Sequence, residues 1–581
     1  MSYKKSLVTA QHFAVSSGHG LATQAGYDIL ELGGNAVDAG VAAGIALAVL
    51  HTDLCNFAGV APIILRMADT GKITTIDGLG TWPHAATVGF FEKEFGGEIP
   101  DGILRTIVPA APAAWITALK EFGTMQFADV AAMAIKCASD GFPVYDIFAD
   151  FIKEKEQKYR RTPENARIYL PNGRPPKVGE TFIQSDLAAT LQYMVDEEAT
   201  AKGSREDGLN AAYDSFYKGD IAQKICAYHR ENNGFLTLAD MADYKVRLEE
   251  PLHIKFMGAD FYTCGAWCQG ISLAQLLGML ELASIDKLIP NSAEHIHVVT
   301  EIMKLVFADR EQYVADPAFH NVPIKEMLDA GYLASRLKEV NLNQAQPNLP
   351  AAGDLLAALG VTTQKNGAAP DTLSTTLDDH SSPSTCADTT YVCAIDADGN
   401  MFSATPSDTS FDTDVIPGTG LCPSSRGSQS RGYADHINAL APGKRPRLTP
   451  NPALALKDGK PFMTFGTPGG DVQIQVMAQV VSNVLCYGMD IQGAIEAPRF
   501  STYSFPSSFA PHTSYPGLLK LEQRIGYDIG DHLKSLGHKV EWWDDWTWLA
   551  GGVCAIVADT SDQGYLFAGA DPRRAGLALG K

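Results

Sequence analysis

Ser384-Thr385-Cys386-Ala387-Asp388-Thr389-Thr390-Tyr391-Val392-Cys393-Ala394-Ile395-Asp396 runs from small polar residues into an apolar alternation. A Pro-containing lead-in, Asp378-Asp379-His380-Ser381-Ser382-Pro383, comes before it. Tyr391, Cys393 and Ile395 alternate, and Asp398-Gly399 is a hairpin dipeptide, so the second half reads as a half-buried strand ended by a turn. Two readings of the junction stay open. One is a surface loop entering an edge strand. The other makes Thr389 a nucleophile that exists only once the Asp388–Thr389 bond is cut. A freed α-amine has a pKa near about 7.7–8 and can serve as a base, which a peptide nitrogen cannot.

The surrounding chain has 581 residues, enough for several domains or for one large layered core. Its 45% hydrophobic and 19% charged content is that of an ordinary globular protein. A net charge of -21 argues against nucleic-acid and anionic-membrane partners, because no basic face is left to neutralise phosphates. The ten cysteines show no zinc spacing and read as reduced and structural. Residues 1–8 carry no apolar run of signal length, and residues 39–50 are apolar but too short to span a bilayer. A cytoplasmic protein is expected.

Along the chain, residues 21–32 have apolar side chains at helical spacing and stop at Gly33-Gly34, and Asn35 is placed to cap the small-residue helix that follows. The Gly and Ala content of that helix predicts close packing against a sheet. Helices are expected over 113–122, 127–139, 272–283 and 293–315, with strands over 61–66, 72–76 and 261–264. From 341 to 388 the composition shifts to that of a mobile connector. Short strands then follow at 391–395, 402–404, 453–456 and 462–465, with a helix over 473–485.

The usual catalytic signatures are missing. Gly443-Lys444 and Gly459-Lys460 are followed by Arg445 and Pro461, so there is no P-loop, and no G-x-S-x-G elbow occurs. His295 and His297 lie two apart on an expected helix, hence on opposite faces, and read as structural. No metal or organic cofactor is expected.

Other stretches join the first in a fixed order: Gly33-Gly34-Asn35-Ala36-Val37-Asp38-Ala39, Ala308-Asp309-Arg310, Ala441-Pro442-Gly443-Lys444-Arg445-Pro446, Leu448-Thr449-Pro450-Asn451-Pro452 and Thr464-Phe465-Gly466-Thr467-Pro468-Gly469-Gly470-Asp471. Tyr487-Gly488-Met489, Ala497-Pro498-Arg499-Phe500 and Ala570-Asp571-Pro572-Arg573 complete the set. Together they resemble the gamma-glutamyltransferase family over nearly the whole chain. The resemblance implies an α/β fold, a four-layer αββα sandwich of the N-terminal-nucleophile hydrolase type. Residues 1–388 would form a large fragment and residues 389–581 a small one, sharing one core, with a homodimer of that pair possible.

By the same resemblance Thr389 is the nucleophile of an autoprocessing enzyme, and Gly469 and Gly470 supply the oxyanion donors. Departures bear on the substrate. Val88 stands where the family's carboxylate-clamping arginine falls, and Tyr391 where many transferases have His. The segment 423–428, where acidic residues would hold an α-ammonium, carries only Arg426, and Thr449 keeps one hydroxyl of a serine pair. Arg426, Thr449 and Asp408 are the candidate substrate-binding residues. An arginine attracts a carboxylate and repels an ammonium. The expected activity is hydrolysis of a small carboxylate-bearing amide, as in the oxamate amidohydrolase and glutaryl or cephalosporin acylase branch. Gamma-glutamyl hydrolysis or transfer, and an uncleaved non-catalytic binding protein, are the alternatives.

Overall fold

The computed structural model describes residues 4–355, 389–560 and 564–581. Asp388 and residues 356–387 of the expected connector lie outside them. Two seven-stranded antiparallel sheets face each other. One orders its strands Val8–Ala10, Leu566–Ala570, Cys554–Ala558, Lys460–Gly466, Ala453–Lys457, Ala259–Thr263 and Leu252–Phe256. The other runs Leu577–Gly580, Ala14–Ser17, Val392–Ile395, Met401–Ala404, Ile63–Arg66, Ile73–Ile76 and Leu248–Glu249. Each sheet therefore combines strands from before residue 356 with strands from after residue 388.

Helices cover both outer faces, which makes the four-layer αββα sandwich. The strand Val392–Ile395 shows why all four layers are needed. Its residues are all buried, Val392 and Ala394 against the helical layer and Cys393 and Ile395 against the other sheet. The half-buried strand expected from the alternation is corrected, and the open reading of an edge strand falls with it, since Val392–Ile395 pairs with Ala14–Ser17 on one side and Met401–Ala404 on the other. Alternation along a strand separates two faces but does not make either of them wet.

The helix Ala36–Leu50 is buried along its whole length and begins with a capping box between Asn35 and Asp38. Its glycines admit the neighbouring layers. A Cβ on Gly40 would lie 2.0 Å from the Phe402 ring, and one on Gly44 would lie 2.6 Å from Trp115. On the opposite face of the sandwich, Gly270–Leu282 and Gln473–Leu485 pack on the first sheet through Leu273, Leu277, Val476 and Val480.

The described beginning of the connector is docked, against the expectation of mobility there. Gln346 N donates to Glu301 at 3.0 Å, Gly353 N to Asp309 at 2.8 Å, and Arg336 to the Ala351 carbonyl at 3.1 Å. These partners lie on helices distant in sequence, so composition alone could not reveal them.

Candidate active site

Thr389 is fully buried immediately ahead of the strand Val392–Ile395. Its Oγ1 lies 2.8 Å from Ser407 Oγ. Ser407 is held by backbone bonds to Val60 in both directions, at 3.0 and 3.3 Å, and receives a hydrogen bond from the Arg426 guanidinium. Arg426 is itself buried, 3.9 Å from Asp408 and stacked 5.3 Å from the centre of the Phe509 ring. Its cation reaches the Thr389 hydroxyl through a single intervening hydroxyl.

Asp408 has φ +122, a conformation that non-glycine residues rarely hold without local compensation. Ser425 N and Oγ donate to its carboxylate at 3.0 and 2.7 Å, and Ser424 Oγ donates as well. Burial pushes this carboxyl up from its usual range, and Arg426 opposes that push. Asp408 thus braces the Ser424–Arg426 turn. Gly427, next in that turn, passes between Trp82 and the Arg105 carbonyl, where a Cβ would come within 2.2 Å of the oxygen.

The turn Gly469-Gly470 uses φ +128 and +57, the second of them followed directly by Asp471 and the helix Gln473–Leu485. Only glycine takes the first of these values without strain. Among the described residues neither glycine N–H donates a backbone hydrogen bond. Gln269 donates to the Gly470 and Thr449 carbonyls at 3.4 and 3.3 Å, and Gln429 donates to Thr449 Oγ1 at 2.9 Å. Gln429 and Arg426 close opposite ends of one short 3-10 turn, Arg426–Gln429. Thr389 is thereby tied to Arg426 through Ser407, and Thr449 to Gly470 through Gln269, with the backbone of the turn Arg426–Gln429 between the two groups.

The family model described as gamma-glutamyltranspeptidase matches residues 22–580. The chain belongs to the gamma-glutamyltranspeptidase family. The glutathione hydrolase-like YwrD proenzyme of Bacillus subtilis (strain 168) is 30% identical over 99% of this chain and 99% of its own. The acylase ACY 1 proenzyme of Pseudomonas sp. (strain SE83) is also 30% identical, over 90% of this chain and 87% of its own. A solved cephalosporin acylase from Bacillus halodurans superposes with a TM-score of 0.84 at 27% identity, covering 100% of this chain and 98% of that one. The protein is an amidohydrolase of this family.

Within the gamma-glutamyltranspeptidase frame, Val88 opens the helix Val88–Phe95 and packs beside the apolar cluster of Trp82 and Phe91. It brings no charge to the site. Tyr391 lies between the two sheets with its hydroxyl 2.7 Å from Ser403. Ser407, Gln429 and Gln269 were not anticipated from sequence, and neither was Arg310. Arg310 Nη1 holds Asp471 at 2.5 Å and Gln269 Oε1 at 3.0 Å, and thus braces both supports of the glycine turn. The sequence signal was the Ala308-Asp309-Arg310 motif, whose partner could not be read from it.

Away from this centre, the ligand atoms of His297, Glu301 and His538 lie within 4.8 Å of one another. Their own contacts occupy them. His297 Nδ1 is 2.8 Å from His538 Nε2, its Nε2 is 2.8 Å from the Asn341 carbonyl, and Lys304 sits 2.7 Å from Glu301. An ammonium against the carboxylate disfavours a second cation there. His295 points elsewhere, toward Tyr487 and Phe500. Among the described residues no helix is long and apolar enough to cross a membrane.

Proposed function

We propose that this protein is an autoprocessing threonine amidohydrolase, cut between Asp388 and Thr389, that hydrolyses a small carboxylate-bearing amide. The observation that carries the reading is the Thr389 hydroxyl, hydrogen-bonded to Ser407 beneath the Arg426 cation at the head of a central strand. Once the chain is cut, the Thr389 hydroxyl attacks the amide carbonyl while its own α-amine takes the proton. Charge then builds on the carbonyl oxygen, where the amides of Gly469 and Gly470 are the candidate donors. The intermediate collapses as the α-amine returns the proton to the departing amine. Water attacks the resulting ester by the same route, and the acid is released with the threonine restored.

Arg426 and Thr449 are the groups we assign to the acyl side, with Arg426 meeting the carboxylate. An α-ammonium would need an acid in place of Arg426. Asp408, the carboxylate beside it, already accepts from Ser424 and Ser425. A substrate without an α-amine therefore fits better than a γ-glutamyl one.

Intact-mass measurement of active protein should give fragments 1–388 and 389–581, and Thr389→Ala should stay full length and inactive. A single full-length species with full activity would end the reading. Between glutaryl and γ-glutamyl forms of one chromogenic anilide, the glutaryl form should be preferred. Arg426→Ala should raise KM for the acid by about 10-fold or more, a charge-assisted bond being worth on the order of 1.5–3 kcal/mol.

A further inference from the structure

Behind the nucleophile lies a polar group that the acyl-transfer steps leave unused. Thr390 is buried, and its hydroxyl has no hydrogen-bond partner among the described residues. His51, which closes the helix Ala36–Leu50, is buried as well, and neither of its ring nitrogens has a partner among them. Buried polar atoms left in this state are uncommon and costly. Both side chains converge on Gly18. A Cβ there would lie 2.2 Å from Thr390 Oγ1, 3.2 Å from His51 Cε1 and 3.6 Å from His51 Nδ1. The imidazole is fixed in place, edge-on to His19 with centres 5.6 Å apart and 5.7 Å from the Tyr145 ring, whose hydroxyl donates to the Leu50 carbonyl at 3.0 Å. Backbone direction brings the Thr389 nitrogen to the same side. Thr390 N donates to the Pro406 carbonyl at 3.0 Å, and the Tyr391 carbonyl accepts from Gly18 N at 3.0 Å. Alternation along this extended segment, bridged to Ser407 at Thr389, therefore turns the Thr389 nitrogen away from Ser407 and toward Gly18.

We propose that His51 and Thr390 are positioning residues for the Thr389 α-amine, which they hold through one buried water molecule lodged beside Gly18. The proposal rests on the acyl-enzyme reading above. To take the hydroxyl proton the amine must aim its lone pair at Oγ1, so its own N–H bonds need acceptors on the far side. A neutral imidazole and a hydroxyl supply acceptors there without adding charge. Buried waters with two or more polar partners are an ordinary part of protein interiors. The same acceptors favour the ammonium that forms as the amine takes the proton, and so raise its pKa. His51 is kept neutral by burial, with His19 and the Arg574 guanidinium adding to the effect. Burial likewise keeps the Tyr145 hydroxyl un-ionised, and the Asp53 carboxylate pushes it the same way. On the opposite side stands Arg426, across Ser407, with Asp408 beyond it. Cys55, close to both of these charges, is held as a thiol by burial.

The test is the pH dependence of kcat for primary-amide hydrolysis by the processed wild-type enzyme and its variants. Activity needs the neutral amine and is lost at acid pH as the amine is protonated. His51→Phe keeps a flat ring and removes the acceptors. It should lower kcat about 10-fold with KM little changed, and shift the acid limb down by about half a pH unit or more, because the amine then gives up its proton more readily. Thr390→Val keeps the shape of the side chain and should shift the limb the same way by less. His51→Gln restores an acceptor and should recover most of both. A loss of kcat in His51→Phe with the limb unmoved, or a His51→Gln enzyme no better than His51→Phe, would overturn the proposal. Should His51→Phe not fold, an unmoved limb in Thr390→Val would overturn it equally. Failure of the nucleophile reading would look different. Thr389→Ala would then still hydrolyse the primary amide, wherever the limb falls.

Discussion

At the scale of single residues, the site depends on positions where only one side chain serves. Gly469, at φ +128, is the clearest. Its neighbour Gly470, at φ +57, carries the N–H we assign to the developing oxyanion, and a methyl there would hold an L side chain in the left-handed region beside that donor. Gly470→Ala should lower kcat by roughly 10²–10³, the loss of one such donor being worth about 2.7–4 kcal/mol, while KM and the folded far-UV spectrum change little. A variant with wild-type kcat would remove Gly470 from that role. Thr389, Gly469 and Gly470 were marked as candidates in the sequence by the family resemblance, beside local cues: a strand head after a loop, and a turn with positive φ. Ser407 was not. Its importance comes from a bridge to Thr389 eighteen positions earlier and from an arginine nineteen positions later, and neither leaves a local pattern. Arg426 was visible as an isolated charge, but its placement against Ser407 and Phe509 was not.

At the scale of elements, the link between Arg310 and Asp471 ties a long helix, Ala293–Tyr313, to the start of the helix Gln473–Leu485. Ser508 N and Oγ also donate to Asp471, at 2.8 and 2.6 Å, and Ser508 belongs to the segment that presents Phe505 and Phe509 to a cleft of about 280 Å³ whose wall also holds Gly469 and Asp471. The carboxylate therefore positions both the glycine turn and one aromatic wall. Asp471→Asn keeps the shape and removes the charge. It should lower kcat about 10-fold, with KM for small primary amides little altered, because the turn loses rigidity while the acyl contacts persist. A rise in KM at unchanged kcat would show that Asp471 acts on binding instead. Elements of this kind were well marked in the sequence. The cap at Asn35, the stop at Gly33-Gly34 and the helix Gln473–Leu485 fall where periodicity and capping residues put them. Which element touches which was set by long-range packing, as the docking of residues 341–355 shows.

At the scale of the molecule, buried imidazoles set an acid limit. Burial depresses His295 to about 4, and His229 and His538 to about 3, with the Lys304 ammonium adding to the effect at His538. A depressed folded-state pKa means that the unfolded chain binds more protons below about 6.5, so this stability is complete above that pH and is lost as pH falls toward 4. Each group should remove on the order of 3 kcal/mol across that window. Melting temperatures taken between pH 7.5 and 4.5 should fall steeply, and His538→Gln should flatten the slope. An unchanged slope would exclude that residue as a contributor. The interleaving of the sheets has a different outcome. Val392–Ile395 lies between two strands, one from each side of the proposed cut, and Leu577–Gly580 pairs with Ala14–Ser17. A precursor melts as one molecule giving one molecule. A cut protein melts as one giving two, so its reaction order changes although none of these strand pairings does. The melting temperature of the processed protein should then climb with its concentration, and that of Thr389→Ala should not. Cutting a single bond thus makes the stability of the fold depend on how much of the protein is in solution.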